Sequence, residues 1–125
     1  MGIIVKGFFT CKDMQKNEDN TVNFISVFTK LVVDPNETYN FNLICMFDVD
    51  LEEDTIVKLY SLEPNEEESA SSVDIEIKAR KHPYVLNCEV NLECYFESEG
   101  KHVFIMEHDD KLIALHDILI QFEGR

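Results

Sequence analysis

Long stretches of this chain alternate apolar and polar side chains with a period of two, and this constrains the fold more than any other feature. From Tyr84 to Glu97, Tyr84, Leu86, Cys88, Val90, Leu92, Cys94 and Phe96 are interleaved with Asn87, Glu89, Asn91, Glu93 and Glu97. Successive side chains of a strand point to opposite faces, so the pattern dictates a strand with one buried and one wet face. Val73 to Arg80 alternates in the same way. In Phe41 to Glu52 the odd positions are apolar, while Asp48, Asp50 and Glu52 occupy later even positions. Thr55 to Leu62 is rich in the β-branched and aromatic residues that suit a pleated surface. With Glu53-Asp54 as a polar turn, Phe41 to Leu62 reads as a hairpin with an acidic corner.

The remaining segments extend the pattern. Gly2 to Cys11 is an apolar strand followed by a polar connection, Lys12 to Asn20. Thr21 to Val33 carries Val22, Phe24, Ser26 and Phe28 on one face and Ile25, Val27, Leu31 and Val33 on the other. Apolar on both faces, it should be a central strand or one that crosses between two sheets. Pro35 ends it, because proline cannot donate to a ladder. Glu63 to Ser72 is a loop by composition. Ser98-Glu99-Gly100-Lys101 reads as a hairpin turn with Gly100 available for positive φ. Leu112, Leu115, His116 and Leu119 fit a helical stripe, but Ile118, Ile120 and Phe122 fit a strand, and strand is the better reading of Leu112 to Phe122. Regular strands separated by turns predict one all-β domain over residues 1–125. The expected form is an antiparallel β-sandwich of about 7–8 strands with little helix. Phe28, Phe47, Leu92 and Phe96 are expected in its core.

Charge is distributed unevenly. The chain carries a formal charge of -14, and the segment from Asp34 to Glu76 holds thirteen acids against one base, Lys58. About a third of the chain thus accounts for -12 of the total. Such a field repels phosphates and anionic membrane surfaces, so direct contact with nucleic acid or membrane is disfavoured and a basic protein surface is the expected partner. With 45 % hydrophobic residues the chain is too apolar to be a disordered acidic tail. The candidate partner-binding residues are Asp48, Asp50, Glu52, Glu53, Asp54, Glu66, Glu67, Glu68, Asp74 and Glu76. In an extended strand Asp48, Asp50 and Glu52 would project from one face at intervals of about 6.8 Å. Charge runs also serve solubility alone, and that is the competing reading.

Catalytic and cofactor chemistry finds no support. Gly2, Gly7, Gly100 and Gly124 are the only glycines, so there is neither a phosphate-binding loop nor a dinucleotide fingerprint, and no Ser or Cys sits in a nucleophile elbow. Asp48 to Asp54 lacks the glycine of a calcium-binding loop. His102, His108 and His116 lie near Glu107, Asp109 and Asp117 without the spacing of a metal site. Cys11, Cys45, Cys88 and Cys94 form no CxxC pair, and Cys88 and Cys94 are about 20 Å apart along one strand, too far for a disulfide. They read as small buried hydrophobes in a reducing compartment. No catalytic residue, metal or cofactor is therefore expected. Met1 to Lys6 shows no signal-peptide pattern, no window reaches transmembrane length, and Lys6 stands where a myristoylation signal needs Ser or Thr. A cytoplasmic protein is expected, and a homo-oligomer is compatible with these features.

Over Val22 to Leu31, with Ile25, Val27, Phe28 and Lys30 in place and Pro35 following, the chain resembles a family of uncharacterised bacterial β-sandwich proteins. The glycine usual in that family is replaced here by Ser26. The resemblance covers element order over most of the chain and implies a fold, with no activity or functional residues attached. Two expectations for function follow from the charge. One is a non-catalytic protein-binding module with an acidic strand face. The other is a phage-type inhibitor or nucleic-acid mimic that blocks a basic nucleic-acid-binding protein.

Overall fold

The structure, a computed structural model, describes residues 2–64 and 72–124. Its elements are nine strands: β1 (Gly2–Lys16), β2 (Val22–Phe28), β3 (Lys30–Val33), β4 (Thr38–Asp50), β5 (Thr55–Leu62), β6 (Ser72–Ile77), β7 (Tyr84–Tyr95), β8 (Gly100–His108) and β9 (Lys111–Phe122). No helix occurs among the described residues. The strands form a four-stranded sheet, ordered β2-β1-β4-β7, and a five-stranded sheet, ordered β3-β9-β8-β5-β6. Every pair is antiparallel except β3 with β9, which run parallel.

The core lies between the sheets, where the alternation places it. Phe41, Leu43, Cys45, Phe47 and Val49 of β4 meet Val57, Leu59, Ile77, Phe104, Met106, Ile118 and Ile120 of the opposing sheet. Phe41 is the hub of an aromatic group, edge-on to Phe28 and Phe104 and stacked on Phe96 with centroids 6.4 Å apart. Phe47 and Phe96 are buried as expected, whereas Phe28 and Leu92 are only partly covered. A smaller cluster lies on the outer face of the four-stranded sheet, where Ile44 opposes Phe9 and Phe9 meets Phe24 edge to face.

Both β4 and β5 are strands, but they are not a hairpin. They belong to different sheets, and Leu51 to Asp54 carries the chain across the sandwich. A strand buries its apolar face equally well against a neighbour's flank or against an opposing sheet, so periodicity alone does not distinguish the two arrangements. Ser98 to Gly100 is likewise a crossing, from β7 in one sheet to β8 in the other. Thr21 to Val33 does cross between sheets, as β2 and β3 separated at Thr29, though each half lies at a sheet edge and not at a centre. The first strand continues to Lys16 through residues that read as a polar connection, because β2 folds back on it with Lys16 opposite Val22. At the β8–β9 corner, His108 pairs with Lys111 across Asp109 and Asp110, whose φ values of 52° and 61° give the two-residue turn that fits strand twist.

Gly100 has φ +119°, and a Cβ there would stand 3.2 Å from Pro64 Cγ. Gly100→Ala is therefore expected to cost about 1–3 kcal/mol by urea denaturation, more than a glycine-to-alanine change at a relaxed site.

His116 projects inward from β9, stacked on Phe104 and edge-on to Phe8. Thr10 Oγ1 donates to the Phe28 carbonyl at 2.8 Å, so its single proton is committed. It must therefore accept from His116 Nε2, 3.1 Å away. Burial lowers the imidazole pKa below its ordinary 6.5, against a smaller opposing pull from Asp117. The folded state favours the neutral ring, so this contribution to stability is complete above pH 6.5 and declines as pH falls below it. Removing the ring by His116→Gln should cost less stability at acid pH than at neutral pH. Equal costs by denaturation at both would contradict the assignment.

Candidate acidic docking site

Asp48, Asp50, Glu52, Glu53 and Asp54 lie at one end of the sandwich, where the chain leaves β4 and enters β5. Asp48 lies on the outer face of β4, opposite Ile4 of β1 and Val85 of β7, and pairs with Lys6 at 3.5 Å. Asp50 is the last residue of that strand and is exposed. Glu52 does not continue the row. β4 stops at Asp50, and Glu52 and Glu53 lie exposed in the crossing, so only two carboxylates share the strand face. The crossing needs a bend to change sheets, and that bend ends the alternation before Glu52.

Asp54 is tied down. Its Oδ1 accepts from the Ala79 amide at 2.8 Å and its Oδ2 lies 3.4 Å from Lys78 Nζ. The Ala79 amide first, then Lys78, holds its pKa below the usual carboxylate value. Lys78 also binds Glu76 at 2.5 Å, and both partners raise its own pKa. One lysine thus compensates two of the candidate carboxylates. Asp74, on the exposed side of β6, is opposite Lys58. Glu66, Glu67 and Glu68 lie outside the described residues. Among the described residues, Asp50, Glu52 and Glu53 make no ion pair.

Two residues the sequence reading left out join this end. A cleft of about 500 Å³ is lined by Leu51, Glu52, Glu53, Asp54, Thr55, His108 and Asp109. His108 Nε2 is 2.9 Å from Thr55 Oγ1 and 3.7 Å from Asp109 Oδ2, which fastens the β8–β9 turn to the crossing. Asp109 was legible as part of a polar corner, but its nearness to Glu52 and Glu53 depends on strand order. Beside the cleft, a second concavity of about 370 Å³ has Asp48 and Asp50 next to Ile4, Pro83, Tyr84 and Val85. This end of the molecule can receive a cationic side chain and cover its aliphatic stem.

The three C-terminal histidines are not brought together. His102 is buried against Phe96 with Nε2 2.9 Å from the Ser98 carbonyl, His108 lies at the acidic end, and His116 is in the sandwich. No group of three metal-ligating side chains occurs among the described residues. The four cysteines are free, and Cys45 stands directly opposite Cys88 across β4 and β7, a pairing that needs the register and is invisible in sequence spacing. Burial pushes the Cys45 thiol up to about 12 and Cys94 to about 11. Because the thiolate is the reactive form, Cys45 is expected to resist alkylation near pH 8 in the folded protein and to react once denaturant is added. Rapid native labelling of Cys45 would contradict this.

No helix among the described residues is long and apolar enough to cross a membrane. No family model matches the chain, and no curated protein matches it. Among solved structures it is similar to an immunoglobulin-like protein from Pseudomonas aeruginosa, with 14 % identity, a TM-score of 0.54, and coverage of 97 % of this chain and 98 % of that one. A beta-glucosidase from Listeria innocua aligns with a TM-score of 0.45 and 7 % identity, over 95 % of this chain but 16 % of the glucosidase. The end-to-end match agrees with the two-sheet topology: this chain is an all-β sandwich with an immunoglobulin-like neighbour of bacterial origin.

Proposed function

We propose that this protein is a non-catalytic binding module that engages a basic protein surface through the acidic end of its sandwich. The observation that carries the reading is the grouping of Asp50, Glu52 and Glu53, exposed and without ion pairs among the described residues, beside a cleft that Asp109 also lines. Like charges held close together oppose folding slightly, and a cationic partner relieves that cost while gaining encounter rate. Ile4 and Val85, 64 % and 63 % exposed on either side of Asp48, add apolar contact for the stems of lysine or arginine. The mimic of nucleic acid calls for evenly spaced charge, and with Glu52 off the strand row no observation favours it over the simpler module.

The test is parallel affinity capture from the native host with the parent and with Asp50→Asn, Glu52→Gln, Glu53→Gln, followed by titration of whatever basic protein the parent retains. All three residues are exposed, so the variant should fold normally. It should bind that partner about tenfold more weakly at low salt. Equal affinity would leave the acidic end as a solvated surface only.

A further inference from the structure

A different surface carries a second inference. The two sheets have four edge strands, β2, β7, β3 and β6, and three of them have features that limit pairing with another chain. β3 has four residues and β6 has six, too short to offer much ladder. β2 is broken by Ser26, whose φ of 55° takes its backbone out of strand geometry. β7 differs. It is twelve residues long, contains no proline, glycine, lysine or arginine, and keeps an uninterrupted register with β4 from Tyr84 to Tyr95. Its far edge pairs with no strand among the described residues. Natural sheets usually shorten, bend or charge such an edge, because its free amides and carbonyls template another strand.

The inward row of β7 is also incompletely covered. Its register partners on β4, Phe41, Leu43, Cys45, Phe47 and Val49, are 3 % exposed or less. Leu92, Val90, Cys88, Leu86 and Tyr84 across from them are all only half-buried. A further strand laid along β7 would cover that row while completing the ladder. On the outer side of β7 stand Glu89 and Glu93, alternating with Asn87 and Asn91.

We propose that β7 accepts an extended segment of a partner protein as a fifth strand of the four-stranded sheet, with apolar residues at alternate positions of that segment and lysine or arginine between them. The apolar positions close over Leu86, Cys88, Val90 and Leu92. The basic positions face Glu89 and Glu93. Antiparallel pairing of two β7 strands about Asn91 would set Glu89 against Glu93, and like charges directly opposite are destabilising, whereas a segment carrying lysine or arginine at those positions gains an opposite charge at each glutamate. Backbone hydrogen bonds supply affinity in this mode of recognition, and alternate side chains supply selectivity. Only Tyr84 and Val85 of β7 border the acidic end, while Leu86 to Glu93 lie along the strand away from Asp50, Glu52 and Glu53, so different variants test the two readings.

The probe is a blocked peptide of about nine residues alternating lysine and valine, matched by an oligolysine of equal charge, at about 0.15 M salt where distant charges are screened. The expected result is slowing of amide exchange by about tenfold within residues 84–95 with the alternating peptide and none with oligolysine, because only the former can form a ladder. Glu89→Lys with Glu93→Lys should weaken that peptide about tenfold, whereas Asp50→Asn, Glu52→Gln, Glu53→Gln should leave it within about twofold. Absence of protection in β7, equal protection by oligolysine, or undiminished binding by the lysine variant overturns the proposal. So does protection of β7 that appears with rising protein concentration alone, accompanied by dimerisation in sedimentation, because that identifies a second copy as the occupant.

Discussion

Phe47→Ala is expected to lower the unfolding free energy by about 3–5 kcal/mol, the range for removing a fully buried aromatic ring from a packed core. Phe47 is entirely shielded from solvent on the inner face of β4, flanked along that face by Cys45 and Val49. β4 is central in its sheet, with β1 on one side and β7 on the other, so its neighbours are held by ladders on both flanks and close only partly over the void. The loss thus combines forfeited burial with a residual cavity. Leu92→Ala, on the half-covered edge strand, should cost less, near the common value of about 1 kcal/mol for single substitutions. Urea denaturation with an unchanged slope checks both. A loss at Phe47 below about 1 kcal/mol would place the ring outside a packed interior.

The contrast between those residues shows how far the sequence could be read. The facing of Phe47 and Leu92 was correct for both, because alternation reports which side of a strand a residue occupies. It does not report whether that side is sealed, which depends on the strand's place in the sheet. Strand order is a long-range property, fixed by pairings such as β1 with β4 and β3 with β9 that join distant segments. That is why Phe41 to Leu62 reads as a hairpin although its halves pair with β1 and β7 on one side and with β6 and β8 on the other. The turn at Asp109 and Asp110 was legible, because two residues between paired strands leave little choice. Of the candidate site, Asp48, Asp50, Glu52, Glu53 and Asp54 do share one end. The compensation of Asp54 and Glu76 by Lys78 required the β6 terminus to come beside the crossing. Asp109 and His108 joined the site through β8 pairing with β5, which no local pattern encodes.

Reversing the acidic end is expected to have the largest effect on association. Asp50, Glu52 and Glu53 are exposed and make no ion pair among the described residues, so replacing each by lysine breaks no ion pair seen there. The change shifts the net charge from -14 to -8 and replaces local attraction for a cation with repulsion. Clefts of one sign raise encounter rates with an opposite charge by about 10- to 1,000-fold, and mutation of rim charges acts mainly on that rate. The Lys6–Asp48 and Lys78–Asp54 contacts should persist in the variant, so its thermal unfolding should stay close to the parent's.

The decisive measurement is the association rate of the captured basic partner with the parent and with Asp50→Lys, Glu52→Lys, Glu53→Lys, followed by stopped flow from about 0.05 M to about 0.5 M salt, a range over which the Debye length falls severalfold. A parent rate at least about tenfold higher at low salt, converging on the variant's rate as salt rises, is the result expected of an acidic docking end. Equal rates for the two proteins at low salt would contradict it.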